Sequence, residues 1–371
     1  MSKKKKGNKV VIILIIILVI LIVGLGAFVY LNKVFTNGTT RYSSFYQEPE
    51  NTLDGIYLGS SAAYCYYMPT VTYEQEGICI YNLGTTVQPS CISANIIKDA
   101  LKTQPDMDVI VIELRNFVKI DNSDIQQYIR LVTDGMRWSK NRFDAIDTAL
   151  QYYKDSGVEG NYNKWSYYFP ALRVVHVGSY GLSQNDWLLK KEEKTPFKGS
   201  APFNSRLITR LPVPDEYTRE DKVDKAQTEA LRNLLEFCKK LDTEVIFVSG
   251  PFNPNKGSEY KYGEMNTLCK IIEEEGFTAL NFNREPLKSQ LNIDYSHDFR
   301  DRGHTSAYGA MRYTLFLGKW LKTNVKSLKD DHRGEKGYED WDLQAESLRK
   351  HLCNVFDDWE SYEKEIKKDV K

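Results

Sequence analysis

The side chains best suited to chemistry are a pair of serines near the start of the chain, which need a base found elsewhere. Gly59-Ser60-Ser61 follows a short apolar run, Gly55 to Leu58, and precedes small residues that can begin a helix. A strand that ends at Gly-Ser-Ser and continues as a helix presents a hydroxyl at the carboxyl edge of a sheet. Serine alone is a weak nucleophile and requires a base. Spacing does not choose between Ser60 and Ser61, because either is also a good helix N-cap.

Histidine candidates for that base are few. The chain has five histidines, and two of them lie in the polar C-terminal tail. Of His176, His297 and His304, only His304 has an acidic residue, Asp301, three positions before it and a helix-like segment after it. That spacing allows a carboxylate to bind the imidazole Nδ1 and leaves the other nitrogen to accept a serine proton. His297 is the fallback base. The alternative for the Asp301–His304 pair is a helix-start acid beside an exposed loop histidine.

Apolar runs that alternate with amphipathic segments predict the elements that position these residues. Runs rich in Val and Ile, separated by long helical patterns, favour a three-layer α/β/α sandwich with a mostly parallel five-stranded sheet. Active sites of such sheets lie at the carboxyl ends of the strands. The predicted strands are Gly55–Leu58, Ile78–Leu83, Val109–Leu114, Glu244–Val248 and Thr278–Phe282. The predicted helices are Ser93–Thr103, Asp124–Thr133, Arg142–Lys154, Lys222–Leu241, Tyr262–Glu275 and Ser306–Thr323.

The N-terminus predicts a membrane anchor. Val10 to Leu31 carries no charge and would form a helix about 33 Å long, enough to cross a bilayer. Lysines before it favour a cytoplasmic N-terminus and an extracellular body. We therefore divide the chain into a basic tail (1–9), a transmembrane anchor (10–31), a spacer (32–52), a catalytic domain (53–324) and a charged amphipathic helical tail (325–371). An insertion at about residues 117–243 interrupts the domain and is expected to fold over the sheet.

Composition excludes some partners. Lys plus Arg and Asp plus Glu each number 50, so the formal net charge is zero, and no basic surface for nucleic acid is expected. The six cysteines form no CxxC pair and no zinc-site spacing. We expect buried free thiols, or one or two disulfides, and no metal.

Three motifs resemble the SGNH (GDSL-like) hydrolase superfamily over roughly residues 54–323. They are Gly59-Ser60-Ser61, Gly84 after the second strand, and Asp301-x-x-His304. The similarity is greatest to membrane-anchored Gram-positive members, in which Gly-Ser-Ser replaces Gly-Asp-Ser. It implies a flavodoxin-like fold in which Ser61 is the nucleophile, His304 the base and Asp301 the acid that orients it.

The resemblance also implies an oxyanion hole made by the N–H groups of Ser61 and Gly84 and by the Asn116 side chain. The third block, Glu113-Leu114-Arg115-Asn116-Phe117, departs from the family because it lacks the glycine and the aspartate that flank the asparagine. Arg115 is a candidate for substrate binding near the oxyanion, or else a solvated or paired arginine. His176, in the insertion, is a candidate for lining the cleft, or else a structural histidine.

The expected function is a membrane-anchored extracytoplasmic serine esterase or O-acyltransferase that needs no cofactor. Its partners would be the lipid bilayer, through residues 10–31, and an acylated glycan or cell-wall polymer as substrate. The alternative is a non-catalytic, glycan-binding member of the same fold that works with a multi-span membrane acyltransferase.

Overall fold

The computed structural model describes residues 2–36, 40–118, 124–172, 195–206 and 210–369. Its strands are β1 Gly55–Leu58, β2 Ile80–Asn82, β3 Val109–Glu113, β4 Glu244–Ser249 and β5 Thr278–Asn281. They form one five-stranded sheet, all parallel, in the order β2-β1-β3-β4-β5. The α/β class and the five parallel strands predicted from the sequence are therefore confirmed. Each strand lies within one or two residues of its predicted bounds.

Helices surround and connect these strands. They are α1 Ser2–Val34, α2 Thr40–Phe45, α3 Ser61–Tyr64, α4 Pro69–Glu76, α5 Ser93–Leu101, α6 Ile125–Thr133, α7 Lys140–Asp155, α8 Lys164–Tyr168, α9 Lys225–Cys238, α10 Tyr260–Glu274, α11 Leu287–Leu291, α12 Ala307–Asn324, α13 Glu339–Val355 and α14 Trp359–Asp369. A hairpin of two short antiparallel strands, β6 Phe299–Asp301 and β7 His304–Thr305, precedes α12.

Alternate strand side chains enter two separate apolar cores. Ile56 and Leu58 of β1 pack in a core that includes side chains of α5, α7, α9 and α10. Tyr57 and Val111 point the other way, into a core that includes side chains of α3 and α12. Because both faces are covered, the strands need apolar residues at consecutive positions, which explains their unbroken Val/Ile runs.

The N-terminal helix is long and apolar enough to cross a membrane over Lys9–Val34. Its apolar side chains face outward along most of its length; Leu25, for example, is 63% exposed. The end of the helix packs against the body, where Val34 and Phe35 are buried. There the Asn32 Oδ1 accepts a hydrogen bond from the Ala171 N–H at 3.1 Å. The C-terminal end of the apolar helix is therefore in direct contact with the folded body.

The segment predicted as a spacer, 32–52, contains the short helix α2. Its Tyr42 and Phe45 side chains are each only 1% exposed and lie in the same core as Ile56. Two aromatic residues three positions apart on one face of a helix are enough to bind it to the body. The described part of the predicted insertion behaves similarly, since α6, α7 and α9 all contribute to that core.

The C-terminal tail forms two helices, α13 and α14, rather than the one that was predicted. Leu348, Leu352 and Trp359 are buried in a third core against α4 and α12. The sequence predicts that the apolar residues of this tail, Leu343, Leu348, Leu352, Val355 and Trp359, form one packed face, and this is only partly correct because Leu343 is 63% exposed. Trp341, two positions earlier, is buried in the core that contains Ile56. The tail therefore belongs to the folded body.

Candidate active site

The turn after β1 separates the two candidate serines. Gly59 has a φ of +147°, and a Cβ there would lie 2.6 Å from the Glu113 Cβ, so glycine is required. Ser60 is the N-cap of α3, and its Oγ accepts the Ala62 N–H at 3.3 Å. The same hydroxyl donates to the Glu113 Oε2 at 3.3 Å. Ser61 is the first residue of α3 and is partly exposed, which leaves its hydroxyl accessible.

Asp301 and His304 face each other across the β6–β7 hairpin, whereas the sequence indicated a plain loop before a helix. Their backbones pair directly, and Arg302-Gly303 forms the two-residue turn between them. The Gly303 N–H donates to the Asp301 Oδ1 at 2.8 Å. The hairpin backbone thereby holds the Asp301 carboxylate in a fixed orientation towards the His304 imidazole.

Ser61 and His304, 243 positions apart, meet beyond the carboxyl end of β1. The His304 Nε2 lies 2.7 Å from the Ser61 Oγ. The His304 Nδ1 lies 2.9 and 3.1 Å from the two Asp301 carboxylate oxygens. These separations fall in the range of about 2.6–3.2 Å needed for proton transfer. When Nδ1–H is donated to Asp301, Nε2 is the unprotonated nitrogen and can accept the serine proton.

The surroundings of His304 favour the neutral imidazole. Its burial and the positive charge of Arg115 lower the pKa of His304 below the usual 6.5, and Asp301 opposes them. The Phe203 ring stands edge-on to the imidazole, with centroids 5.4 Å apart. Asp301 itself is 45% exposed, so solvent screens its attraction for the ring. A histidine that is neutral at pH 7 is available as a general base.

Arg115 reaches the hairpin rather than the serine. Its guanidinium donates to the Gly303 carbonyl and, at 3.1 Å, to the Tyr66 hydroxyl. The Tyr66 hydroxyl lies 2.7 Å from the same Gly303 carbonyl. Arg115 and Tyr66 therefore converge on the turn between the acid and the base. In this position Arg115 supports the hairpin, and its charge acts on His304.

Two of the three hydrogen-bond donors predicted for the oxyanion hole, the Gly84 N–H and the Asn116 side chain, already have acceptors within the protein. The Gly84 N–H donates to the Asn82 Oδ1 at 3.0 Å. The Asn116 Nδ2 donates to the Gln88 carbonyl. The Ser61 N–H, by contrast, is at the first position of a helix and has no helical acceptor. For Gly84 or Asn116 to bind an oxyanion, each would first have to release its present partner.

The other described histidine candidate, His297, does not join this group. His176 lies outside the described residues. The His297 Nδ1 binds the Asp298 Oδ1 at 3.0 Å, and its ring packs on Tyr308 with centroids 4.3 Å apart. Asp298 is fully buried and also accepts from the Arg312 Nε at 2.9 Å. His297 is thus part of the packing between α12 and α14.

Sequence reasoning missed three residues around the site. Tyr66 binds the hairpin turn, and Asn82 binds the Gly84 N–H. Asn82 gave only the signal of a polar residue near the end of a predicted strand, and Tyr66 gave none. Glu113 ends the otherwise apolar strand β3 and is 1% exposed. Burial raises the pKa of Glu113 to about 7, against the opposing effects of Arg115 and Ser60. A lone acid at the end of an apolar strand was the available signal.

Comparison of the chain with protein-family models, with curated proteins and with solved structures gave no match. The inference about this site therefore depends on its geometry alone. In a sheet of order 2-1-3-4-5 the strand order reverses between β1 and β3, and ligands bind outside the carboxyl ends at that point. Ser61 follows β1 and Arg115 follows β3. The side chains described above thus lie where such sheets place their binding sites.

Proposed function

We propose that this protein is a serine esterase or O-acyltransferase of the SGNH type. The observation that carries the proposal is the 2.7 Å contact between the Ser61 Oγ and the His304 Nε2, with the other ring nitrogen on Asp301. A mere N-cap serine needs no such partner. Ser60, the neighbouring hydroxyl, performs the capping. The strand order and the apolar cores on both sheet faces support the three-layer sandwich that this superfamily would require.

The reaction proceeds in two acyl-transfer steps. The Ser61 Oγ attacks the ester carbonyl while its proton passes to the His304 Nε2, and the Ser61 N–H supports the oxyanion that forms. Collapse of this intermediate breaks the ester C–O bond, and His304 returns the proton to the leaving alcohol. Water, or a sugar hydroxyl, then attacks the acyl-serine by the same route. Asp301 holds the imidazole in the required tautomer and stabilises it when charged.

The substrate class follows from the proposed location. A helix able to span a membrane, preceded by Lys3, Lys4, Lys5 and Lys6, supports a cytoplasmic N-terminus and an extracellular body. The polymers available there are surface glycans and teichoic acids. Their acyl esters, most commonly acetyl esters, are the proposed substrates.

Turnover of 4-nitrophenyl acetate by full-length protein in detergent tests the proposal. Ser61→Ala is expected to abolish the turnover above background. Ser60→Ala is the matched control, since it removes the adjacent hydroxyl at a cost of about 1 kcal/mol in capping and leaves the nucleophile in place. Equal turnover by Ser61→Ala and the wild type would refute the assignment.

A second candidate function is a non-catalytic partner of a multi-span membrane acyltransferase that binds glycan. The observation in its favour is that the Gly84 N–H and the Asn116 amide are already bound to Asn82 and Gln88. An enzyme with a single free oxyanion donor would be slow, because the loss of one donor costs about 10²–10³ in rate. Under this alternative the protein binds acetylated glycan but does not release acetate from it.

A further inference from the structure

A cavity of about 320 Å³ adjoins the hairpin that carries Asp301 and His304. Its size is that of a small-ligand site. The Gly303 turn forms one wall, so the cavity and the proposed active site share a boundary. Its polar lining is cationic and amide-like: Arg115, Lys261, Arg302, Asn253 and Asn255.

None of the three cations forms an ion pair within the described part of the chain. Arg115 donates to neutral oxygens, and Arg302 donates to the Asn253 Oδ1 at 2.7 Å and the Pro254 carbonyl at 3.3 Å. Lys261, in the first turn of α10, has no carboxylate within ion-pair distance among the described residues. Buried lysine elsewhere is neutralised: Lys198 binds Glu48 at 2.8 Å.

Among the residues that the structure describes, no acidic side chain lines the cavity. The carboxyls of Glu113 and Asp301 both act on Arg115. Burial raises the pKa of Glu113 to about 7, so this acid is partly protonated at neutral pH, and Asp301 is 45% exposed, so solvent screens its charge. Three cations that form no ion pair within the described residues surround a concave, partly apolar space and concentrate positive potential there. The guanidinium and ammonium groups are the donors that phosphate and carboxylate prefer.

We propose that this cavity binds an anionic group, a phosphate diester or a carboxylate, on the polymer whose acyl ester is presented to Ser61. The inference rests on the proposed function and specifies its substrate class as an acidic rather than a neutral polymer. The anion would bind on one side of the hairpin while the ester carbonyl lies at the serine on the other.

Lys261→Met tests the proposal without touching the catalytic hairpin. The matched control is Lys256→Met, an exposed lysine five positions earlier that does not line the cavity. Hydrolysis is measured for acetyl glycerol phosphate, which is anionic, and for 4-nitrophenyl acetate, which is neutral. Lys261→Met is expected to raise KM for the anionic ester about three- to tenfold and to leave kcat and the neutral ester unchanged. An equal effect on both esters, or on neither, would overturn the proposal.

An acetylated uronic acid as a third ester separates the two anions. A larger rise in KM for acetyl glycerol phosphate assigns the cavity to phosphate groups, and a larger rise for the uronic acid assigns it to carboxylates. Calorimetry of glycerol phosphate binding to the Ser61→Ala protein separates this site from the catalytic claim. Binding to the Ser61→Ala protein, together with no ester turnover by the wild type, would refute the enzyme and keep the site. Turnover by the wild type without binding to the Ser61→Ala protein would refute the site alone.

A different observation carries a second inference, about the surface where α1 meets the body. The Phe28 ring, near the end of the apolar helix, contacts the Phe169 ring with centroids 5.7 Å apart. Trp138 and Trp165 lie 5.6 and 6.2 Å from Phe169, yet they are 57% and 55% exposed. Large exposed aromatic rings beside a membrane-crossing helix are typical of the bilayer interface.

The level of these rings follows from the helix. Counting 1.5 Å per residue from Val10, the first uncharged position after Lys9, a hydrocarbon layer of about 30 Å ends close to Val29. Phe28 therefore lies at the outer boundary, and Phe169 is held at the same level. We infer that Trp138 and Trp165 insert into the interfacial layer of the bilayer and fix the orientation of the body on the membrane.

Quenching of tryptophan fluorescence by brominated phospholipid tests this inference in full-length protein reconstituted in bilayers. Trp138→Phe and Trp165→Phe are each expected to reduce the bromine-dependent quenching, because phenylalanine keeps the packing but removes the fluorophore. Trp320→Phe, on α12, is the control and should leave the quenching unchanged. Quenching that is equally unaffected by all three substitutions would overturn the inference.

Discussion

His304 and His332 each bind an acid three positions away along the chain, but the other nitrogen of each ring meets a different group. The His304 Nε2 meets the Ser61 hydroxyl at 2.7 Å. The His332 Nδ1 binds Glu335 at 2.8 Å, and its Nε2 meets the Asp54 carboxylate at 3.1 Å. The same local spacing therefore produces two different environments.

Charge decides the protonation state of each ring. Burial and the cation Arg115 lower the pKa of His304, so this ring is neutral at pH 7. Hydrogen bonds to Asp54 and Glu335 raise the pKa of His332 to about 9, so this ring is a cation. A neutral ring beside a hydroxyl can act as a base. A charged ring between two carboxylates joins the segment before α13 to the residue that precedes β1.

The largest expected effect is on catalysis, in His304→Gln. The variant should lose about 10⁴–10⁶ of the esterase rate, because serine then has no base. Its unfolding midpoint should stay close to that of the wild type, since the ring is partly exposed and at the surface of the body. The measurement is 4-nitrophenyl acetate turnover together with thermal unfolding. A rate within tenfold of wild type would remove His304 from the mechanism.

Asp301→Asn should reduce the rate by about 10³–10⁴. The amide no longer fixes the Nδ1–H tautomer, although the hairpin geometry is kept. Rates are compared with those of Asp298→Asn, which alters the acid bound by His297. If Asp301→Asn retained full activity, the orienting role of this acid would be wrong.

His332→Gln should show the opposite pattern: reduced stability with unchanged kcat. The folded pKa of about 9 lies above the ordinary 6.5, so the stabilisation is fully present below pH 6.5 and is lost as pH rises through 9. The shift corresponds to about 3 kcal/mol at pH 6 and less at pH 8. Denaturant unfolding of wild type and variant at both pH values measures it. A difference that grew with rising pH would contradict the assignment.

The smallest expected effect is on the pH profile. The base must be neutral, so kcat/KM for the neutral ester should fall as pH drops through a half-point below 6.5. In Arg115→Met the half-point should move to higher pH, because the cation that lowers the pKa of His304 is gone. Lys256→Met serves as the control and should not move it. A half-point unaffected by Arg115→Met would place the cause elsewhere.

The sequence predicted secondary structure best where a regular pattern of apolar residues corresponds to a buried face. Runs such as Val109 to Glu113 and the amphipathic segment that became α7 predicted their elements to within a few residues. The convergence of Ser61 with Asp301 and His304 was also expected, but from the resemblance of the Gly-Ser-Ser and Asp-x-x-His motifs to a hydrolase superfamily and not from periodicity. A periodic pattern is a reliable signal because many side chains contribute to it, so one atypical residue does not remove it.

Short or tertiary features could not be predicted in this way. The β6–β7 hairpin has strands of three and two residues, which is too short for any periodicity. The engagement of the Gly84 N–H by Asn82 depends on a side-chain rotamer. The burial of Tyr42 and Phe45 depends on a surface built from distant strands. None of these features leaves a periodic pattern in the sequence, because each depends on a short turn, on one rotamer or on contacts with distant strands.

Covalent labelling with a fluorophosphonate probe, followed by mass spectrometry of the labelled peptide, tests the central claim most directly. The account predicts an adduct on Ser61 in the native wild-type protein, and none in the His304→Gln protein, where the serine is present without its base. Absence of any adduct in the native protein, or an adduct on Ser61 that forms equally fast in His304→Gln, would contradict it.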